Sequence, residues 1–96
     1  MYLFVDDIRN PPTKEWVVAR TANDALKLLL SNNVEILSLD HDLGNGPTGY
    51  DILKEIEILV FKNKYIAPKD IRIHSANPVG TQNMLAAIKS IRRLSS

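Results

Sequence analysis

The sequence predicts an α/β protein with three layers, built on a mostly parallel four-stranded sheet. Short apolar runs of strand length alternate with segments in which apolar residues follow helical spacing, and this alternation is typical of parallel sheets with helical crossovers. The 96 residues leave room for one hydrophobic core, so we expect a single domain over residues 1–96. Hydrophobic residues make up 45% of the chain and charged residues 24%, which indicates a folded protein rather than a disordered one.

Four apolar runs predict the strands: residues 2–5, 15–19, 34–39 and 71–74. The third run is almost continuously apolar, which indicates burial on both faces of the sheet. The connection between the first two runs, Asp6 to Lys14, contains two prolines and is shorter than the dozen or so residues that a helical crossover needs. Either this connection is a loop without a helix, or the strand around Trp16 runs antiparallel to its neighbour.

Three helices are predicted from capping residues followed by apolar stripes. Thr21 and Thr48 each precede an Asp by three positions, as capping residues do. Asn77 stands before a proline at the first helical position, and the last helix begins within residues 77–81. The stripes expected to face the sheet are Ala22, Ala25, Leu26, Leu29 and Leu30, then Ile52, Leu53, Ile56, Leu59 and Val60, then Met84, Leu85, Ala87, Ile88, Ile91 and Leu94.

Charge balance and cysteine content exclude several kinds of function. A net charge of +1 creates no overall field that attracts nucleic acid or a membrane. The absence of cysteine excludes a disulfide framework, a thiolate zinc site and a cysteine nucleophile. The apolar runs are too short to cross a bilayer, and the first residues lack the basic region and cleavage site of a signal peptide. We therefore expect a cytoplasmic protein without a membrane partner.

Polar residues are concentrated where the predicted strands end. Four of the seven Asp residues directly follow strands, in segments 6–7 and 40–42, and a polar segment at 74–77 follows the fourth strand. Taken singly, each segment has a structural explanation as a solvated turn, a turn cap, a structural histidine or a helix cap. Because the carboxyl ends of parallel strands meet at one edge, where such sheets bind ligands, we expect the three segments to form one site.

The residue types in this site suit work on a phosphate ester. Clustered carboxylates repel one another unless a cation, a proton or a hydrogen-bond network offsets their charge. Asp6, Asp7 and Asp40 therefore predict a site for Mg²⁺ or Mn²⁺, which prefer oxygen ligands. The two histidines of the chain, His41 and His74, both lie in these segments and suit a general acid and base near neutral pH.

Further residues of the segments are expected to support this chemistry. Either Asp40 or Asp42 is expected to orient the first histidine. The start of the last helix offers backbone N–H groups and a positive dipole end, which favour an anion. Ser75, Asn77 and Gly80 are expected to hold phosphate oxygens at that point.

The same residues give the chain a resemblance to the receiver domains of two-component signalling. Asp6-Asp7 after the first strand, Asp40 after the third and Ser75-Ala76 after the fourth follow the receiver layout, and segment 49–53 is similar to the glycine-led helix start beyond the receiver phosphoacceptor. The resemblance implies a truncated receiver-like or flavodoxin-like fold. The sequence continues past Asp40 as His41-Asp42-Leu43-Gly44 instead of the usual Met-Pro, and it shows no fifth strand with a phosphate-binding lysine. Phosphorelay through Asp40 is therefore less expected than either of the two functions considered in the next paragraph.

A more specific resemblance is to the cyclic-phosphate processing receiver-like domains. It is carried by segments 39–44 (Leu-Asp-His-Asp-Leu-Gly), 48–51 (Thr-Gly-Tyr-Asp) and 74–80 (His-Ser-Ala-Asn-Pro-Val-Gly). It implies phosphoesterase-type processing of a cyclic phosphate, either an RNA 2′,3′-cyclic phosphate end or a cyclic nucleotide. The alternative is a non-catalytic module that binds a phosphorylated ligand or a metal. If the substrate is RNA, Lys89, Arg92 and Arg93 can contact its backbone, although a solvated helix face explains them more simply.

Overall fold

A computed structural model describes residues 1–95 and contains one parallel sheet with three helices. The elements along the chain are β1 (Tyr2–Val5), β2 (Trp16–Ala19), α1 (Ala22–Ser31), β3 (Ile36–Leu39), α2 (Gly49–Phe61), β4 (Asp70–Ile73) and α3 (Pro78–Ser95). The strand order is β2-β1-β3-β4, and all three strand pairs are parallel. The predicted α/β class and its parallel four-stranded, receiver-like sheet are confirmed.

The connection between β1 and β2 is a loop. Tyr2 lies opposite Trp16 and Val5 opposite Ala19, so β2 is parallel to β1 and the antiparallel alternative is wrong. Residues 6–15 contain no helix. Two adjacent prolines and the short length explain this, because proline lacks the amide hydrogen that a helix interior requires.

All three helices lie on one face of the sheet. The crossovers from β2 to β3 and from β3 to β4 run in the same direction along the sheet, so right-handed connections place α1 and α2 on one side, and α3 packs against α2. Their buried residues form a single core with Leu3, Val5, Leu37 and Leu39 of the central strands. Three layers were predicted, but residues 1–95 form two, the sheet and one layer of helices, because they provide no helix for the opposite face.

Aromatic side chains occupy that opposite face. Phe4 is only 6% exposed, and its ring meets the Trp16 ring edge-on at 6.0 Å between centroids. The other neighbour of Phe4 is the imidazole of His74, which stacks on it at 4.4 Å with an interplanar angle of 4°. The aromatic side chains on the face without helices therefore contact His74, one of the predicted site residues.

The predicted helix caps are present. Thr48 and Asp51 form a reciprocal capping box at the start of α2, and the Thr21 hydroxyl accepts a hydrogen bond from the Asp24 amide at 3.2 Å. Asn77 caps α3, which begins at Pro78. None of the helices in residues 1–95 has the length and apolar character needed to cross a membrane.

Part of the predicted apolar stripe of α1 and part of that of α3 face solvent. Leu30, Leu85 and Leu94 are exposed, whereas Leu29 and Met84 are buried in the core. Each step along a helix rotates the side chain by about 100°, so Leu30 and Leu85 turn away from the sheet that their predecessors face. A helix that packs on one sheet face buries a narrower stripe than the one we predicted.

Gly49 joins the start of α2 to the end of β3. A Cβ atom at this position would overlap the backbone carbonyl oxygen of Asp40, and it would lie 3.0 Å from the Met84 Cε. The Gly49 amide also donates to the His41 carbonyl at 2.8 Å. Only glycine lets the helix approach the Asp40-His41 backbone this closely.

We predict that Gly49→Ala lowers the free energy of unfolding by about 1–3 kcal/mol, because backbone atoms have to move to admit the methyl group. Gly46→Ala is the matched control, since nothing lies within 4 Å of a Cβ built at Gly46. Urea denaturation of both variants measures the difference. Equal stability of the two variants would contradict the close approach of α2 to Asp40.

Candidate functional site

Three carboxylates meet at the carboxyl edge of the sheet. Carboxylate oxygens of Asp6, Asp7 and Asp40 all lie within 4.8 Å of one another. Asp6 is fully buried and Asp40 is 7% exposed. These residues meet because β1 and β3 are neighbouring parallel strands that end in register, with Val5 opposite Leu39. The expected convergence of the first two segments is present.

Asp6 is held by hydrogen bonds on both of its oxygens. Oδ1 accepts from the amides of Ile8 at 3.0 Å and Arg9 at 2.8 Å, and Oδ2 lies 3.1 Å from Nε2 of His74. Burial by itself raises the pKa of Asp6, but the two amide hydrogen bonds and His74 together outweigh burial and lower it. Asp6 is therefore ionised at neutral pH in spite of its burial.

His74 uses both ring nitrogens inside the protein. Nε2 contacts Asp6, and Nδ1 lies 2.7 Å from Oγ of Ser38. Because an ionised carboxylate only accepts, Nε2 carries a hydrogen toward Asp6; when the ring is neutral, Nδ1 accepts from the Ser38 hydroxyl. Stacking on Phe4 fixes the ring plane. The result is a hydrogen-bonded chain, Ser38–His74–Asp6, that links three strands.

Sequence reasoning missed Ser38, although a signal for it was present. It is the one polar residue of β3, whose sequence is Ile-Leu-Ser-Leu, and it is 7% exposed. A buried hydroxyl in an apolar strand needs a hydrogen-bond partner. The partner is 36 positions away in the chain, so the strand alone did not identify it.

Only one ring nitrogen of His41 has a hydrogen-bond partner among the described residues, whereas both ring nitrogens of His74 have one. Nδ1 of His41 lies 3.0 Å from Oδ1 of Asp42, while Asp40 accepts from the His41 backbone amide. Of the two predicted orienting residues, Asp42 therefore contacts the ring. The ring packs directly on Gly80, where a Cβ atom would overlap it. Among the described residues, no hydrogen-bond partner occupies Nε2 of His41.

Asp42 is stabilised in its charged form. The hydrogen bond from His41 is the main cause of its lowered pKa; this bond, with the Asn77 side chain and the charge on His41, outweighs desolvation. An ionised Asp42 accepts the Nδ1 hydrogen and so favours the His41 tautomer with a free lone pair on Nε2. That nitrogen can accept a proton.

The predicted anion site at the start of α3 has few open donors. Pro78 has no amide hydrogen, the Gly80 amide donates to Oδ1 of Asn77 at 2.9 Å, and the Thr81 amide donates to the Asn77 carbonyl at 2.9 Å. The Asn77 amide in turn donates to Oγ of Ser75 at 3.1 Å. These groups mainly cap the helix, which weakens the expectation that they supply most of the phosphate contacts.

Two arginines at the site were not predicted. Arg9 reaches across the carboxyl edge, where Nη1 donates to the His74 carbonyl at 3.2 Å and Nε lies 3.9 Å from Oδ2 of Asp6. Arg20 donates to the backbone carbonyls of Asp6 and Arg9 and to Oδ1 of Asn10. The chain carries no local signal for these contacts, because Arg9 lies in the β1–β2 loop and Arg20 lies between β2 and α1, outside any helix or strand.

The basic residues of α3 lie apart from this edge. Arg92 donates to the carbonyls of Pro68 and Lys69, each at 2.9 Å, and thereby holds the turn before β4. The hydrogen bond from Lys54 is the main cause of the lowered pKa of Glu57 on α2, and the charge of Arg93 adds to it. Part of the basic face that was considered as an RNA contact thus has a structural role.

A scan against protein-family models matches residues 1–90 to the family described as the cyclic-phosphate processing receiver domain. No curated protein matches the chain significantly. The matched range includes all three segments that converge at the carboxyl edge. The predicted resemblance is confirmed.

We predict that Asp6→Asn lowers the free energy of unfolding, whereas Asp40→Asn does not. An Asn at position 6 turns an acceptor into a donor that faces Nε2 of His74, so unfolding free energy falls by roughly 1–3 kcal/mol. An Asn at position 40 keeps an acceptor for the His41 amide and removes one of three clustered charges, so stability is unchanged or higher. Urea denaturation without divalent metal measures both. A large loss in Asp40→Asn would indicate a structural role for that carboxylate.

Proposed function

The chain belongs to the cyclic-phosphate processing receiver domains, and from that premise we propose that it hydrolyses a cyclic phosphate at the carboxyl edge of its sheet. The substrate class is an RNA 2′,3′-cyclic phosphate end or a cyclic nucleotide. One observation supports this most strongly. His41, oriented by Asp42 through Nδ1, presents a free Nε2 in the segment that also carries the Asp40 carboxylate of the acidic cluster.

His41 acts as the base in this proposal. A water oxygen attacks phosphorus, one ester P–O bond breaks, and the ring opens to a phosphomonoester with one free hydroxyl. Nε2 of His41 takes the proton from the attacking water, the leaving oxygen takes a proton from solvent water, and the His41 imidazolium returns its proton to solvent, so the atoms balance. Asp42 keeps the ring in the accepting tautomer and stabilises the imidazolium that forms.

His74 is assigned a positioning role instead of a share in the acid–base pair with His41 that the sequence suggested. Both of its ring nitrogens are committed, one to Asp6 and one to Ser38. A nitrogen engaged in this way is not available to a substrate oxygen. We therefore propose that His74 holds Oδ2 of Asp6 in place and that proton transfer centres on His41.

The acidic cluster fits a hard divalent cation. Arg9 and His74 are the cationic or protonatable partners of Asp6, whereas Asp7 and Asp40 form no ion pair with Lys, Arg or His in the described part of the chain. Three clustered carboxylates with so little compensation favour Mg²⁺ or Mn²⁺. Asp6, Asp7 and Asp40 would hold the ion, which when bound neutralises charge on the phosphate.

We predict weak binding of Mn²⁺, in the millimolar range, detected as paramagnetic broadening of amide signals at residues 6, 7 and 40 in NMR spectra. Asp40→Asn is expected to weaken it, because a charged ligand is lost. Asp70→Asn serves as the control, since Asp70 is the first residue of β4 and lies at the opposite edge of the sheet. Absence of broadening at millimolar Mn²⁺ would exclude the metal and leave catalysis to His41.

We predict that the purified protein opens one member of a substrate panel, measured by ³¹P NMR. The panel holds 2′,3′-cyclic nucleotides, 3′,5′-cyclic nucleotides and RNA with a cyclic-phosphate end, each with and without Mn²⁺. His41→Ala is expected to lower turnover by about 10²–10⁴-fold, because general base catalysis typically contributes that much. Asp42→Asn is expected to cause a smaller loss, since the ring stays but its tautomer is no longer fixed.

Three results would contradict this assignment. Full activity of His41→Ala on the best substrate would exclude His41 as the base. Binding of the panel compounds by the wild-type protein without turnover would favour the alternative, a receiver-like module that binds a phosphorylated ligand. Labelling of Asp40 by acetyl phosphate would point instead to a phosphoacceptor.

A further inference from the structure

We propose that Arg9 binds the phosphate group of the substrate and that Arg20 positions Arg9 for this task. The identity of the phosphate as a cyclic ester rests on the proposed function. The binding of phosphate by Arg9 does not, because inorganic phosphate alone can test it.

A phosphate at this edge needs a cationic contact. The carboxylates of Asp6, Asp7 and Asp40 repel an anion, and the amides of Gly80 and Thr81 at the start of α3 are engaged with Asn77. A helix N-terminus whose donors are used internally contributes less to anion binding than an open one. The attraction for the phosphate therefore has to come from a cationic side chain elsewhere in the site.

Arg9 has the geometry to supply it. Its side chain is 52% exposed, yet it contacts two of the three converging segments, with Nη1 on the His74 carbonyl and Nε at 3.9 Å from Oδ2 of Asp6. Within residues 1–95, no protein acceptor takes a hydrogen bond from Nη2. A guanidinium offers five N–H donors in a planar fork that matches two phosphate oxygens, so donors remain for a ligand.

Hydrogen bonds hold the backbone of Arg9 on both sides, at its amide and at its carbonyl. Oδ1 of Asp6 accepts the Arg9 amide hydrogen, and Arg20 donates to the Arg9 carbonyl and to the Asp6 carbonyl. A second nitrogen of Arg20 donates to Asn10 at 2.8 Å. The backbone of Arg9 is thus held before a ligand arrives, which reduces the entropic cost of binding.

The affinities for phosphate and for a divalent cation are expected to change in opposite directions when Arg9 is removed. This difference distinguishes phosphate binding by Arg9 from a purely structural role. Removing a positive charge 3.9 Å from Asp6 strengthens the attraction of the cluster for a cation and weakens its attraction for an anion. Loss of a structural contact would instead disorder the loop and weaken binding of both ions.

The experiment titrates inorganic phosphate and, separately, Mn²⁺ into the full chain, followed by NMR and calorimetry. Phosphate is tested with and without Mg²⁺. For Arg9→Ala we expect phosphate affinity to fall about tenfold or more, as for loss of a charge-assisted pair, and Mn²⁺ affinity to rise. For Arg9→Lys we expect unchanged Mn²⁺ affinity and weakened phosphate binding, because the charge remains without the fork.

Arg72→Ala is the matched control. Arg72 is 54% exposed and is paired with Asp70 at the start of β4, away from the carboxyl edge, so both affinities are expected to stay at wild-type values. Arg20→Ala is expected to weaken phosphate binding less than Arg9→Ala, since the guanidinium that binds is still present. Wild-type phosphate affinity in Arg20→Ala would exclude its positioning role.

Four results overturn the assignment of Arg9. They are no phosphate binding by the wild-type protein, wild-type phosphate affinity in Arg9→Ala, a loss of both affinities in Arg9→Ala, and, should Arg9→Ala fail to fold, wild-type phosphate affinity in Arg9→Lys. Phosphate binding through Arg9 in a protein that opens no cyclic phosphate would refute the proposed function and leave this inference standing.

Discussion

The buried carboxylate of Asp6 connects the parts of the molecule that form the site. Its side chain accepts hydrogen bonds from the β1–β2 loop and from His74 beyond β4, while its backbone amide donates to Ala19 of β2 at 3.1 Å. An ionised group without solvent contact is costly unless such bonds compensate it. The arrangement around Asp6 is therefore a constraint on the loop and on His74.

The short loop between β1 and β2 explains much of what distinguishes this receiver-like fold. A helix in this position would cover the face that carries Phe4 and Trp16. Without it, aromatic rings pack on one another and on His74, and the polypeptide returns to β2 through residues that contact Asp6 directly. The loop places Arg9 at the carboxyl edge. Arg20, which follows β2, donates to the Asp6 carbonyl and adds a second guanidinium there. The absent helix thus leaves room for the cationic side of the site.

The two histidines illustrate how environment separates chemically identical groups. His74 lies between an acceptor and a hydroxyl and stacks on Phe4, so both nitrogens have fixed partners. His41 pairs with an exposed carboxylate on one nitrogen only and rests on Gly80. The first arrangement suits rigid support of a carboxylate, and the second suits proton transfer to a ligand. His74 contacts Asp6, and the amide of His41 donates to Asp40, so the edge has distinct supporting and reactive parts.

Much of the fold and part of the site were predictable from the sequence alone. Strand positions, helix caps and the meeting of Asp6, Asp7 and Asp40 follow from apolar periodicity, capping spacing and the rule that parallel strands end at one edge, all of which are local or topological regularities. The pairing of Ser38 with His74, the reach of Arg9 and the exposure of Leu85 were decided only by the tertiary structure. The physical reason is that these contacts depend on strand order, on register and on which sheet face the helices cover. Side chains tens of residues apart then become hydrogen-bond partners, and the local pattern does not identify which residues pair.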